Sequence, residues 1–321
     1  MKVLVVGGAG YVGGAVTNIL LESEHEFRVY DALLYEESYR KRANFIFGDV
    51  RDKKRLKPHL DWADAVIWLA ALVGDSACAL NPDVTRSINQ DPVKWLAENY
   101  DRRIVFTSTC SVYGIHDAVV DESSATHPLS VYAATKLEAE HYLQDKNAVI
   151  FRLGTLFGVS DLFARIRLDL VVNTMTVRAY HHRKISVYGG NQFRPLLHVR
   201  DAAQAAVDGL TSDHVGIFNL HLQNIQIIDL ANLFRKYFPD LVIEQTSRAF
   251  DDPRNYQVSS DKARSILGFR PNRSIDQGIL EIKELLDSER LRDVENPRYT
   301  NHLYLSRFNT HLSGIRKEYA S

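Results

Sequence analysis

Cysteine is scarce: the 321 residues contain only two, Cys78 and Cys110. Two cysteines cannot form a disulfide framework or by themselves close a structural zinc site, so a reducing cytoplasm is the default and no metal site is expected. A basic excess is also missing. Lys and Arg number 39 against 40 Asp and Glu, a formal net charge of −1. No long-range field therefore draws the chain to nucleic acid or to an anionic membrane, and no local basic patch stands out. No apolar run approaches the ~20 residues needed to cross a bilayer. The N-terminus, MKVLVVGGAG, passes straight from an apolar run into glycines with no A-x-A-type cleavage site, and does not read as a signal peptide. Internal repeats and low-complexity linkers are absent too. What is left is a soluble globular chain whose partners are small molecules or copies of itself.

Hydrophobic residues make up 45% and charged residues 25%, ordinary values for such a chain. Short Val-, Ile- and Phe-rich runs at 2–6, 28–30, 44–47, 65–69, 104–107 and 149–152 read as strands. Helical patterns at 11–21, 53–60, 92–99 and 131–143 separate them. This alternation predicts an α/β fold, a Rossmann-type doubly wound parallel sheet, and the unbroken apolar runs suit strands buried on both faces. The rhythm breaks after residue 152. Short strands at 185–188, 216–220 and 242–244, with helices at 201–209, 228–237, 261–267 and 275–287, predict a smaller C-terminal α/β substrate lobe. The expected division is residues 1–152 for the dinucleotide-binding domain and 153–287 for the substrate lobe, some segments returning to the main sheet. Residues 288–321 form a polar tail expected at a subunit interface, most simply that of a homodimer.

The first strand ends in Gly7-Gly8-Ala9-Gly10-Tyr11-Val12-Gly13, followed at once by a helical pattern. Glycines allow the tight turn and let backbone N–H groups approach a pyrophosphate at a helix N-terminus, so Gly7, Gly10, Tyr11, Val12 and Gly13 are candidate cofactor contacts. A second strand ends at Asp31, 18 residues after Gly13. Its carboxylate suits the adenosine ribose hydroxyls and would repel a 2′-phosphate at ~4 Å by roughly 1–4 kcal/mol, favouring NAD over NADP. Asp49 and Val50, after the third strand, are placed to meet the adenine.

Tyr132-Ala133-Ala134-Thr135-Lys136 opens a helix with tyrosine and lysine on one face. A phenol of reference pKa ~10 becomes a usable base near neutral pH only beside positive charge, which an ammonium and an oxidised nicotinamide can supply. With the glycine loop and FTSTCSVYG at 106–114, the pattern closely resembles the extended short-chain dehydrogenase/reductase family, within it the NAD-dependent nucleotide-sugar epimerases and dehydratases. GGAGYVG, Asp31, GDVRD, LAA, STCSVYG, YAATK and RPLLHVRD fall in the family's order over roughly residues 1–285. A further similarity, through AALVGDSAC, RLDLVVN and HVRD, points to bacterial sugar-nucleotide 4-dehydrogenases and 4-epimerases.

The resemblance implies a catalytic triad of Thr109, Tyr132 and Lys136, with Tyr132 as general base, Thr109 on the same oxygen and Lys136 also on the nicotinamide ribose. It implies that Leu69, Ala70, Ala71 and Thr107 line the cofactor, and that Arg194 and Arg254 bind the nucleotide diphosphate, joined by Asn173. In the family's 4,6-dehydratases the loop resembles S-T-D-E-V-Y-G. Here the acid and base positions hold Cys110 and Ser111, which would contact substrate but cannot drive elimination of water; Cys110 reads equally as a small buried filler. Trp68 stands where relatives often carry histidine, and Thr155 where many carry asparagine. The expected activity is redox through a keto-sugar, most simply at C4, ending in epimerisation; a ketoreductase or dehydrogenase without epimerisation uses the same residues. A non-catalytic dinucleotide sensor on this fold would have no use for the triad.

Overall fold

The computed structural model describes residues 1–246 and 254–312, with side chains to residue 307. Its strands in the first half are β1 (Lys2–Val6), β2 (Glu26–Asp31), β3 (Asn44–Phe47), β4 (Ala65–Trp68), β5 (Arg103–Thr109), β6 (Ile115–Val120) and β7 (Ala148–Leu153). Those that follow are β8 (Thr155–Phe157), β9 (Lys184–Tyr188), β10 (Phe193–His198), β11 (Gly216–Leu220), β12 (Gln223–Gln226), β13 (Val242–Thr246) and β14 (Asn255–Val258).

Seven strands form one parallel sheet in the order β11-β7-β5-β4-β1-β2-β3. Val3, Val5, Ile67, Val105 and Phe151 point to one face, and Leu4, Val6, Val66, Trp68 and Ile104 to the other. Both faces are covered, which is why strands such as KVLVV are apolar without alternation. The chain runs from β1 outward to β2 on one side and β4 on the other, so a crevice opens at the carboxyl ends of β1 and β4, where open α/β sheets bind ligands.

The sheet draws on residues well beyond 152. Strand β11 pairs with β7, and the helix Val199–Asp208 packs its alanine face on the helix Tyr11–Leu21 and on the sheet. Small residues on both helices allow that approach. The lobe has a separate core around Phe157, Val172, Leu196, Phe234 and Ile279, carried by β12-β10-β8, β13-β9 and the helices Val171–His182 and Ile275–Asp287. The pair β14-β6 lies over the loop after β5.

The described part of the tail packs on its own chain: Leu305, in the helix Asn301–Leu312, is buried with Leu72, Cys78 and Val84. Asn301 donates to Asp169 and, through its side chain, to the Val73 carbonyl. Among the described residues no helix is long and apolar enough to cross a membrane.

Candidate active site

Glycine shapes the crevice. Gly7 has a φ of +87°, and a Cβ there would meet the Ala70 backbone nitrogen at 2.5 Å, so the turn can approach the end of β4 only without a side chain. A Cβ on Gly13 would meet the Gly7 carbonyl oxygen at 2.5 Å, so the helix Tyr11–Leu21 could not start so close to the turn. No side chain caps that helix at Gly10, which leaves its first N–H groups and the positive end of its dipole to an anion. The cleft of about 150 Å³ at this point is lined by Gly7, Gly10, Asp31, Asp49, Val50, Leu69, Ala70 and Ala71, eight of the expected cofactor positions.

Asp31 accepts hydrogen bonds from the backbone N–H groups of Ala9 (3.0 Å) and Leu33 (2.8 Å). Burial pushes its carboxyl up, and those N–H groups pull it back. The Asp49 carboxylate is engaged by Arg51, whose Nε and Nη2 donate to it at 3.0 and 2.6 Å, so its work is to hold Arg51 against the cleft. At three of the expected positions the side chain turns away from the cleft. The Tyr11 hydroxyl donates to the Gly158 carbonyl at 2.6 Å, and Val12 packs into the apolar interior, leaving only the backbone of these two facing the turn. The Thr107 hydroxyl is buried against the Trp68 carbonyl at 3.4 Å. Trp68 itself lies wholly in the core.

The second cluster forms where β5 ends. The helix Val131–Leu143 begins there, its first turn capped by Ser130 Oγ accepting from Ala133 N–H. One face of the helix carries Tyr132 and Lys136 toward Thr109. Thr109 Oγ1 also accepts from Ser111 N–H at 3.1 Å, which fixes the loop. Burial raises the Tyr132 phenol, helped by Cys78 and Asp75, while Arg167 and Thr109 act the other way. The Lys136 ammonium is buried 4.0 Å from the Phe106 ring centroid, and burial pushes its pKa down to about 7, with Glu140 holding it up.

Lys136 therefore makes a stability prediction for the cofactor-free protein. Its folded pKa lies below the unfolded 10.5, so the unfolded state binds the proton more tightly and the residue's cost is fully present below pH about 7. Lys136→Met should therefore unfold later than wild type at pH 6, with the gap closing as pH rises toward 10.5. Urea unfolding of both proteins across that range checks it; a constant gap would mean the lysine is not titrating in the fold.

Around this pair the structure gathers side chains from distant segments. Arg254 Nη1 donates to Ser111 Oγ at 2.7 Å and meets Asp75 Oδ2 at 3.1 Å. Asp75 Oδ1 accepts from Ser130 Oγ at 2.5 Å, and Arg194 Nη1 donates to the Arg254 carbonyl at 2.6 Å. Ser111, Arg194 and Arg254 thus join Thr109, Tyr132 and Lys136. Two expected substrate contacts do not. Cys110 is fully buried, its thiol pushed up by burial and donating to the Arg152 carbonyl at 3.2 Å, so it fills the space behind the loop. Asn173 is fully buried, and its amide binds Gly158 and the Arg167 carbonyl; in place of the expected diphosphate contact it braces the two ends of the loop between β8 and the helix Val171–His182. His198 caps the helix Val199–Asp208 and contacts Glu281, a structural role.

Sequence reading missed Asp75, Ser130, Arg51 and Arg165. The first three lie beside motifs, in AALVGDSAC, before YAATK and in GDVRD. Arg165 carries no local signal at all. Among the described residues no group of acidic, His and Cys side chains could hold a metal ion.

A sequence profile of the NAD dependent epimerase/dehydratase family matches residues 3–220. UDP-glucose 4-epimerase of Corynebacterium glutamicum is 29% identical over 314 residues, covering 88% of this chain and 94% of that one. UDP-glucuronic acid decarboxylase 2 of Arabidopsis thaliana is 26% identical over 300 residues, covering 87% of this chain and 66% of that one. Among solved structures, Pal from Bacillus thuringiensis superposes with a TM-score of 0.77 at 26% identity, covering 90% of this chain and 100% of that one.

Proposed function

The chain belongs to the NAD dependent epimerase/dehydratase family and is an enzyme of the extended short-chain dehydrogenase/reductase type; on that premise we propose that it acts on a nucleotide-diphosphate sugar, oxidising C4 to a ketone and restoring the hydroxyl with inverted configuration. UDP-linked hexoses are the first candidates, from the likeness to UDP-glucose 4-epimerases. Gly7, Gly10, the backbone of Tyr11 and Val12, Asp31 and the 69–71 strand end would hold NAD, which supplies reversible hydride acceptance. The subunit acts as a homodimer in this proposal.

The chain's own residues would divide the remaining work. Tyr132 Oη takes the proton of the sugar hydroxyl, and Thr109 Oγ1 hydrogen-bonds the same oxygen as charge develops. Lys136, once the cofactor is bound, orients the nicotinamide ribose and adds positive charge near the phenol. Arg194 and Arg254 present guanidinium groups to the diphosphate, Arg254 exchanging Asp75 for phosphate oxygens.

The observation that carries this reading is the approach of Tyr132 to Thr109 at a loop with no carboxyl at either position 110 or 111. Elimination of water needs an acid and a base there. Cys110 is buried with its thiol pushed up, and Ser111 is held by Arg254. Asp75 is a carboxylate of the site, but both its oxygens are engaged by Ser130 and Arg254.

Incubation of the protein with NAD and a panel of UDP- and dTDP-sugars, followed by product mass and NADH absorbance, tests it. A product of unchanged mass with a new C4 configuration is expected. A product lighter by one water would overturn the reading.

A further inference from the structure

The cofactor cleft has one wall that the glycine loop does not supply. Arg165, in the loop before the helix Val171–His182, is 5% exposed and lines the cleft with Tyr35 and Tyr304. Its guanidinium carbon lies 3.5 Å from the Tyr35 ring centroid, and Nε and Nη2 donate to the Arg298 carbonyl at 3.3 and 3.0 Å. Tyr304 closes the stack, its ring centroid 5.1 Å from that of Tyr35.

Arg165 has no anion. Among the described residues none of its nitrogens forms an ion pair, and Nη1 donates to nothing. The nearby carboxylates are committed elsewhere, Asp169 to Arg167 and Glu36 to Arg298. Burial, with the like charge of Arg167, pushes its pKa down to about 10. A buried guanidinium stacked on an aromatic ring whose only hydrogen-bond acceptor is a carbonyl is costly, and such a site is completed by an anion that accepts from the unused N–H edge. Planar donors of this kind match phosphate oxygens.

We infer that Arg165 seats the pyrophosphate of the dinucleotide, and that the C-terminal segment, holding Arg165 through Arg298 and walling the cleft with Tyr304, is part of the cofactor site. The inference rests on the dinucleotide reading of the cleft. It assigns to the lobe and the tail a task otherwise left to the glycine turn, and makes cofactor retention depend on residues far from it in sequence.

Calorimetric titration of NAD, ADP-ribose and adenosine into wild type, Arg165→Met and Arg165→Lys tests it, alongside the unfolding temperature without ligand. Losing one charge-assisted contact should weaken NAD and ADP-ribose about ten- to a hundredfold in Arg165→Met. Adenosine affinity should stay at its wild-type value, and the NAD affinity of Arg165→Lys should fall between. The ligand-free unfolding temperature should not fall below wild type, because an uncompensated buried charge is removed. Equal weakening of adenosine would reduce Arg165 to a scaffold residue, and unchanged NAD affinity in Arg165→Met would place the pyrophosphate elsewhere; either result overturns this inference alone. Wild-type protein that binds neither NAD nor ADP-ribose overturns the dinucleotide reading with it.

Discussion

Tyr132→Phe is expected to lower turnover by about 10²–10⁴-fold while leaving NAD affinity near its wild-type value. The change removes one oxygen, the one proposed to take the sugar proton. The ring stays, packed beside Leu72, Cys78 and Leu305. In the cofactor-free site the phenol stands above its ordinary pKa, because burial outweighs Arg167 and Thr109. It is therefore protonated at neutral pH until positive charge arrives, and the tyrosine serves as a base only in the loaded enzyme. Steady-state rates with the best substrate from the panel, and NAD titration of the same preparation, separate the two quantities. A variant that keeps most of its rate would remove Tyr132 as the base.

Glu140→Ala should cost about 3–5 kcal/mol of stability, more than any surface change in the molecule. Glu140 and Arg152 are buried together, their side chains 1% and 4% exposed, with Arg152 Nη2 donating to Oε2 at 2.6 Å and Nε donating to both oxygens at 3.1 Å. Arg152 also donates to the Tyr113 hydroxyl at 2.9 Å, which in turn donates to Asn219 Oδ1 at 2.9 Å. Deleting the carboxylate strands a guanidinium in the core directly behind the loop that carries Thr109 and Ser111. Replacing both partners with apolar residues of similar volume should cost much less than the single change, since no uncompensated charge remains. Urea unfolding of the single and double variants checks both statements. A loss under about 1 kcal/mol for Glu140→Ala would show that water reaches the pair.

Glu140 and Arg152 show where sequence reading stops. Both lie in elements that were anticipated, the helix Val131–Leu143 and strand β7. Yet each looks like an ordinary charged residue, because nothing along the chain records that 12 residues' separation becomes a buried contact. Asp75, Arg51 and Arg165 escaped for the same reason. The helices Asp75–Ala79, Pro82–Asn89 and Val171–His182 also lie outside the sequence reading: the first two are short, and in the third apolar and polar residues are mixed around the helix.

What the sequence determined by itself was the doubly wound sheet, the glycine turn with Asp31 at the next strand end, and the pairing of Tyr132 with Lys136. These depend on local spacing: strand period, glycine backbone freedom, and the four-residue repeat that puts two side chains on one helix face. Only the tertiary structure decided which side chains reach the site. Cys110 and Asn173 are used up inside the protein because their polar groups found backbone partners there. Arg194, Arg254 and Asp75, scattered across 179 positions of chain, come together around Arg254, which reaches Ser111 at the loop after β5. The tail folds back on the cofactor cleft because Leu305 finds an apolar socket there, a destination set by shape and burial that its polar, mixed-charge sequence does not encode.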